Sequence, residues 1–247
     1  MKTIVWIYFV LGLLVSPLAM ARGEEQSSNN AEGYEHFKID QTWQASFPHA
    51  AAVIGFGSGE AHVVIAVDAT GTLTDCLVTG YTHRAFADEA VRTVKKWRYE
   101  PARLHGEPMS VVAKIDFVFE KEGLTVVTQT PQENLDSRYH EIEKNQYSYR
   151  VHTLSELDHL PTPVHVVEPV YPTAWAAKGI VGIVSVEFYI DETGKVRMPG
   201  VANTASPPLA NLAIDAVQQW QFEPATCKGK PVLVRVSQDF NFGPGKQ

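Results

Sequence analysis

Apolar and polar residues alternate through Ala61, Val63, Ile65 and Val67, and again through Val184, Val186, Phe188 and Ile190. Period-two alternation predicts a strand with one face on a core. Each run ends in a turn sequence, Asp68-Ala69-Thr70-Gly71 or Asp191-Glu192-Thr193-Gly194, where Asp starts the turn and Gly takes a positive φ. A second strand follows over 72–79 or 195–201, so both regions read as β-hairpins. The period then lengthens. Phe86, Ala90, Val91, Val94 and Trp97 share one helical face, as do Leu209, Ala213, Ile214, Val217 and Trp220. Asp88 and Glu89 fall near the start of the first helix and Lys95, Lys96 and Arg98 at its end, as the macrodipole favours. Pro207 and Pro208 can open the second helix, and Pro101 and Pro224 stop both. A turn at Gly106-Glu107-Pro108 or Gly229-Lys230-Pro231 leads to a last strand, 109–119 or 232–242. A short helix precedes each hairpin. It is clearest over 171–179, with proline near its start and glycine at its end, and weaker over 47–52.

Apart from the short helices, which are offset by one residue, every one of these pairs is separated by 123 residues, with no gap from the Asp of the turn to the last Phe. A repeat this long is a duplicated domain, not a solenoid unit. The fold class is α+β: two tandem α-β-β-α-β domains, each a small antiparallel sheet with helices on one face. The expected organisation is a signal peptide over 1–21, a disordered or extended segment over 22–40, a first domain over 41–121, a linker over 122–160 and a second domain over 161–247. Within the linker, Thr130-Pro131-Gln132-Glu133 has the form of a capping box, and Leu135, Tyr139 and Ile142 make a narrow apolar stripe. A short connecting helix is expected there.

The N-terminus changes the setting. Lys2 precedes an apolar run from Ile4 to Val15, and Ala19-Met20-Ala21 forms a small-x-small cleavage site. The run is near the lower limit for a membrane span and breaks at Ser16-Pro17. A cleaved export signal and a periplasmic protein are expected; the alternative is an uncleaved anchor in the inner membrane. Twenty-one basic residues against 28 acidic ones give a net charge of −7, which argues against nucleic acid or anionic lipid as a partner.

Candidate chemistry narrows the reading further. The two cysteines, Cys76 and Cys227, fall at non-equivalent places in the copies, so neither copy has its own bridge. They are either a pair across the domains or two small buried thiols. Nine histidines show no metal-ligand spacing: His159 and His165 flank two prolines, and His36, His49 and His62 are scattered. Gly55-Phe56-Gly57-Ser58-Gly59 lacks the Lys-Ser/Thr of a phosphate loop and the glycine of a nucleophile elbow. The repeated Asp68, Gly71, Trp97, Pro101, Gly106, Asp191, Gly194, Trp220, Pro224 and Gly229 read as turn formers, helix stops and core aromatics. No nucleophile stands with a base and an orienter, so neither enzyme activity nor a metal or cofactor is expected.

The constellation resembles the C-terminal domain of TonB, the periplasmic energy transducer of Gram-negative bacteria. The second copy carries the fuller match: Glu168-Pro169-Val170-Tyr171-Pro172, Gly179-Ile180-Val181-Gly182, Ile190-Asp191-Glu192-Thr193-Gly194, Trp220-Gln221-Phe222-Glu223-Pro224-Ala225, Gly229-Lys230-Pro231 and Phe240-Asn241-Phe242. The first copy adds Trp97-Arg98-Tyr99-Glu100-Pro101. The resemblance implies a domain that grips the Ton box, an extended peptide of an outer-membrane receptor plug, by pairing it with the last strand. Strand addition also follows from physics, because a small sheet has two edges with unpaired backbone groups. The candidate edge residues are Val232, Val234, Val236 and Gln238, with Met109, Val111 and Ala113 in the first copy. The bland alternative is that these strands only complete their sheets, or that one copy covers the other.

Departures from the family shape the expected role. Transducers resembling this domain carry an N-terminal anchor and a long Pro-rich spacer, whereas this sequence has a cleavable-looking signal and no such spacer. The expected function is a periplasmic protein that binds extended segments of envelope proteins in association with TonB-dependent transport. A scaffold whose domains pair with each other or in a dimer is the alternative, as is an anchored transducer.

Overall fold

A computed structural model describes residues 34–121, 123–129, 147–204 and 207–243. The signal, the 23–33 stretch and the linker helix around Thr130–Glu133, Leu135, Tyr139 and Ile142 lie outside these residues. The first copy comprises β1 (Tyr34–Glu35), β2 (Lys38–Gln41), α1 (His49–Val53), β3 (Ser58–Val67), β4 (Leu73–Tyr81), α2 (Arg84–Val94), β5 (Arg98–Glu100), β6 (Ala102–Leu104), β7 (Glu107–Met109), β8 (Val111–Glu120), β9 (Gly123–Gln129) and β10 (Tyr149–Arg150). A 3₁₀ turn at Leu154–Glu156 follows. The second copy comprises β11 (Pro163–His165), α3 (Thr173–Ala177), β12 (Gly182–Ile190), β13 (Val196–Thr204), α4 (Pro207–Val217), β14 (Gln221–Phe222), β15 (Thr226–Cys227), β16 (Lys230–Pro231) and β17 (Val234–Phe242).

The tandem α-β-β-α-β pattern stands, with additions. The first sheet has five antiparallel strands in the order β10-β4-β3-β8-β9, and the second has three in the order β13-β12-β17. The stretch after Lys121, expected as a linker, thus supplies two strands, β9 and β10. The first copy also starts earlier than residue 41, since β1 pairs with β6 and β2 with β5. The single last strand expected over 109–119 is split. Met109 ends β7 opposite Ala102, and β8 begins at Val111.

The turn residues act as their chemistry dictates. Asp68 Oδ1 accepts from the Thr70 and Thr72 amides and the Thr70 hydroxyl, and Asp191 Oδ1 does the same with Thr193 and Lys195. These donors hold Asp68 below the usual carboxylate range, with the Thr70 hydroxyl foremost. At Asp191 burial pushes upward, but the same set of donors outweighs it. Gly71 and Gly194 take φ of +82° and +84°, and a Cβ on either would strike a backbone oxygen, of Tyr99 or Phe222. Glycine is therefore required twice over at these positions.

Each copy buries its own core between sheet and helices. Val63, Ile65, Phe86, Val94, Ile115 and Phe117 are fully buried in the first; Val184, Val186, Ile190, Leu209, Val217 and Val234 are in the second. Both repeated tryptophans pack there and also donate a hydrogen bond to a lead-in segment. Trp97 Nε1 reaches the Trp43 carbonyl at 2.9 Å and Trp220 Nε1 the Val167 carbonyl at 2.7 Å. Glu89 differs from its expected dipole role. Helix α2 starts at Arg84, so Glu89 falls in the second turn; it is buried, and it accepts from the Ser46 amide and hydroxyl and from Arg92. It ties the lead-in segment to the helix.

The copies dock face to face. Strand β13 lies across β3, β4 and β8 on the side away from α2. Val64, Leu77, Met198 and Leu233 form a shared apolar cluster with Val112, Val151 and Tyr189 beside it. Burying such side chains stabilises by about 1.5–3 kcal/mol each.

Candidate partner-binding edge

A strap over 147–156 runs from one sheet to the other. The Ser148 and Val151 amides donate to the Tyr81 and Thr79 carbonyls on the outer edge of β4. One residue later, the His152 amide donates to the Leu233 carbonyl at 2.8 Å, in a parallel bridge with Val234. The chain thus adds its own backbone to β4 as a strand and to the start of β17 through a single bridge. Side chains fasten it. Tyr149 stacks on Tyr81 with ring centroids 5.2 Å apart and donates to Glu192 at 2.6 Å. Arg150 donates twice to Glu156, which also accepts from the Thr153 amide in a capping box. The Arg150 bonds chiefly hold the Glu156 carboxyl at about 2. Tyr147 donates to Glu60 and meets His62 Nε2 at 2.9 Å, and His62 Nδ1 bonds the buried Asp116 at 2.5 Å. His62, one of the scattered histidines of the sequence, meets Asp116 through the register between β3 and β8.

The strap also shows which groups of β17 face outward. Backbone groups alternate between the two sides of a strand in an antiparallel ladder. Since the Leu233 carbonyl points away from β12, the odd-numbered residues Ser237, Asp239 and Asn241 do so as well. The even-numbered residues bond to β12, in register from Val234↔Ile190 to Phe242↔Gly182. Gln238 agrees with this assignment, because its side-chain amide reaches round to the Asp239 carbonyl at 3.0 Å. Among the described residues, no strand pairs with Val236 to Phe242 on the side away from β12.

The predicted edge residues divide accordingly. Val232 precedes β17 and donates to the Ala225 carbonyl. Val234 is fully buried, Val236 half-buried and Gln238 exposed. In the first copy, Met109 is exposed on β7, Val111 is half-buried and Ala113 buried. The remainder of that last strand, Lys114 to Glu120, is paired by β9. Ser237, Asp239 and Asn241 were missed, since only the ladder register tells which alternate set faces out. Cys76 and Cys227 are unpaired thiols, and burial pushes Cys76 up to about 11.

This architecture has a counterpart among known proteins. The family profile described as "Gram-negative bacterial TonB protein C-terminal" matches residues 44–120 and 167–244, one match for each copy. The chain belongs to the TonB C-terminal family. It is similar to Protein TonB of Vibrio cholerae, 31% identical over 71 residues, or 28% of this chain and 29% of that protein. The chain therefore spans under a third of that relative's length. It is also similar to the solution structure of the Pseudomonas aeruginosa TonB CTD, at 29% identity, covering 39% of this chain and 96% of that one with a TM-score of 0.32. TonB C-terminal domains are in general non-catalytic. Among the described residues no group of His, Cys, Asp and Glu could hold a metal ion, and no helix is long and apolar enough to cross a membrane.

Proposed function

We propose that this protein grips an extended segment of another cell-envelope protein, added as a strand beside β17, in support of TonB-dependent transport. The observation that carries the reading is the row of outward backbone groups at Ser237, Asp239 and Asn241, on a strand that membership of the TonB C-terminal family makes a candidate partner edge. An exposed edge is a template for an incoming strand, with main-chain bonds supplying affinity and side chains supplying selectivity. The copies pack through their sheet faces, so their docking leaves this edge untouched. A receptor plug segment of Ton-box type is the leading partner, the compartment is the periplasm, and the role is binding, not catalysis.

Photo-crosslinking in cells tests this reading. A benzophenone side chain at Gln238 should trap an envelope protein through one extended segment, and the same probe at Met109 should not. Ser237→Pro removes an outward amide and should abolish the adduct. Equal adducts from both positions, or an adduct indifferent to Ser237→Pro, would remove strand addition at β17.

A further inference from the structure

Strand β9 is an outer edge of the first sheet, and the ladder decides which of its backbone groups face out. The Thr82 amide donates to the Glu60 carbonyl at 3.1 Å, so even-numbered residues of β3 bond on the β4 side and odd-numbered ones to β8. Ala61 lies opposite Phe117 and Val63 opposite Ile115, so the odd residues of β8 bond to β3 and its even residues to β9. Those even residues oppose Gln129, Val127, Thr125 and Gly123. The backbone groups of Leu124, Val126 and Thr128 are therefore directed away from β8. Among the described residues, no strand pairs with them.

Other long edges carry protection that β9 lacks. On β4 the strap covers Thr79 to Tyr81, and Asp75 folds its carboxylate back onto the Cys76 amide at 2.8 Å. On β17 Asp239 places a charge, and the Gln238 side chain covers the Asp239 carbonyl. Gly123 to Gln129 has neither charge nor proline and is rich in β-branched residues. Such an edge is a template for another strand. The sequence that follows, 130–146, has the helical spacing of Leu135, Tyr139 and Ile142, which does not suit it to that place.

The edge is complementary to itself. Its outward residues are centred on Val126, so a two-fold axis there sets Val126 against Val126 of a second molecule and Leu124 against Thr128. All of β9 then pairs, 123 with 129, through about six main-chain hydrogen bonds. The same antiparallel order puts Glu120, opposite Gly123 on β8, in one row with Lys114 of the second molecule. A parallel strand would align each charge with its own kind. Gly200 of β13 packs beside Val112, so the docked second domain lies toward the other end of β8.

We propose that the protein forms a two-fold dimer through β9, its five-stranded sheet continuing into that of a second molecule of this chain. The contact closes on itself and does not depend on strand addition at β17.

Sedimentation and disulfide trapping of the full chain carrying Cys76→Ser and Cys227→Ser test this. The chain should sediment as a dimer that dissociates on dilution. Val126→Pro removes an outward amide and should weaken association by about tenfold or more, with little change in melting temperature. Ser237→Pro should leave association unchanged. Mixed Leu124→Cys and Thr128→Cys chains should crosslink about tenfold faster than either does with itself, because only the mixed pair faces across the axis. A monomer at every concentration overturns the dimer and leaves binding at β17 standing. A dimer indifferent to Val126→Pro, or dissolved by Ser237→Pro, overturns the assignment to β9. Faster trapping of either cysteine with itself overturns the two-fold register.

Discussion

Arg197 clasps Asp75 across the two copies, its Nε at 3.0 Å and its Nη2 at 2.6 Å from the two carboxylate oxygens. Two parallel bonds between planar groups fix direction as well as distance, so this pair sets the angle at which β13 crosses the first sheet. Arg197 also lies 3.8 Å from Asp191, the turn residue of its own copy. Arg197→Ala should lower unfolding free energy by about 1–2 kcal/mol in urea titrations, discounted from a buried pair because both side chains are part-exposed. A double-mutant cycle with Asp75→Ala should return a coupling of about 1 kcal/mol.

Two prolines on β17 should behave oppositely. Val234 bonds to β12 and is buried, so Val234→Pro should cost about 3 kcal/mol and lower the melting temperature sharply. Ser237 directs its amide outward, so Ser237→Pro should cost less than about 1 kcal/mol. Similar losses for both would contradict the assignment of inward and outward groups.

Glycines with similar φ should differ in tolerance. Gly194→Ala meets the Phe222 carbonyl oxygen as well as an unfavourable backbone, and should cost about 3 kcal/mol. Gly229, at φ +72°, has open space around it, and Gly229→Ala should cost about 1 kcal/mol. Calorimetric melting of both variants makes the comparison.

Acid should loosen the strap. Glu156 sits at about 2 in the fold against an ordinary 4.5, held down chiefly by Arg150. The unfolded chain therefore binds more protons than the fold between these values, and the contribution is whole above pH 4.5 and lost as pH falls through 2. Protection of the His152 amide, its exchange rate taken against the intrinsic rate at each pH, should fall across that window, and Glu156→Gln should remove this dependence. An unchanged pH profile in Glu156→Gln would show that another group is responsible.

Legibility followed locality. The Asp-x-Thr-Gly turns, the helical faces of Phe86 and Leu209 and the helix stops at Pro101 and Pro224 each depend on neighbours a few residues away, and they could be read directly. Strand β9 was legible only in part: Leu124-Thr125-Val126-Val127-Thr128 favours a strand by composition, but its place on the β8 edge depends on a register that no local pattern gives. The strap was hidden for the same reason, its partners Thr79 and Leu233 lying on different sheets. Choosing Val234 and Val236 for the edge followed side-chain patterning, while the direction of the backbone groups is set by pairing with Ile190 and Phe188.

Strand β9 has one more consequence, for valence. A molecule with two unsatisfied last strands could join neighbours at both and grow into a polymer, since head-to-tail contacts do not close by themselves. By occupying Lys114–Glu120 internally, β9 closes the last strand of the first copy to addition. Under the proposed strand addition, the last strands among the described residues offer one open edge, at β17, and an association made there would terminate as a pair.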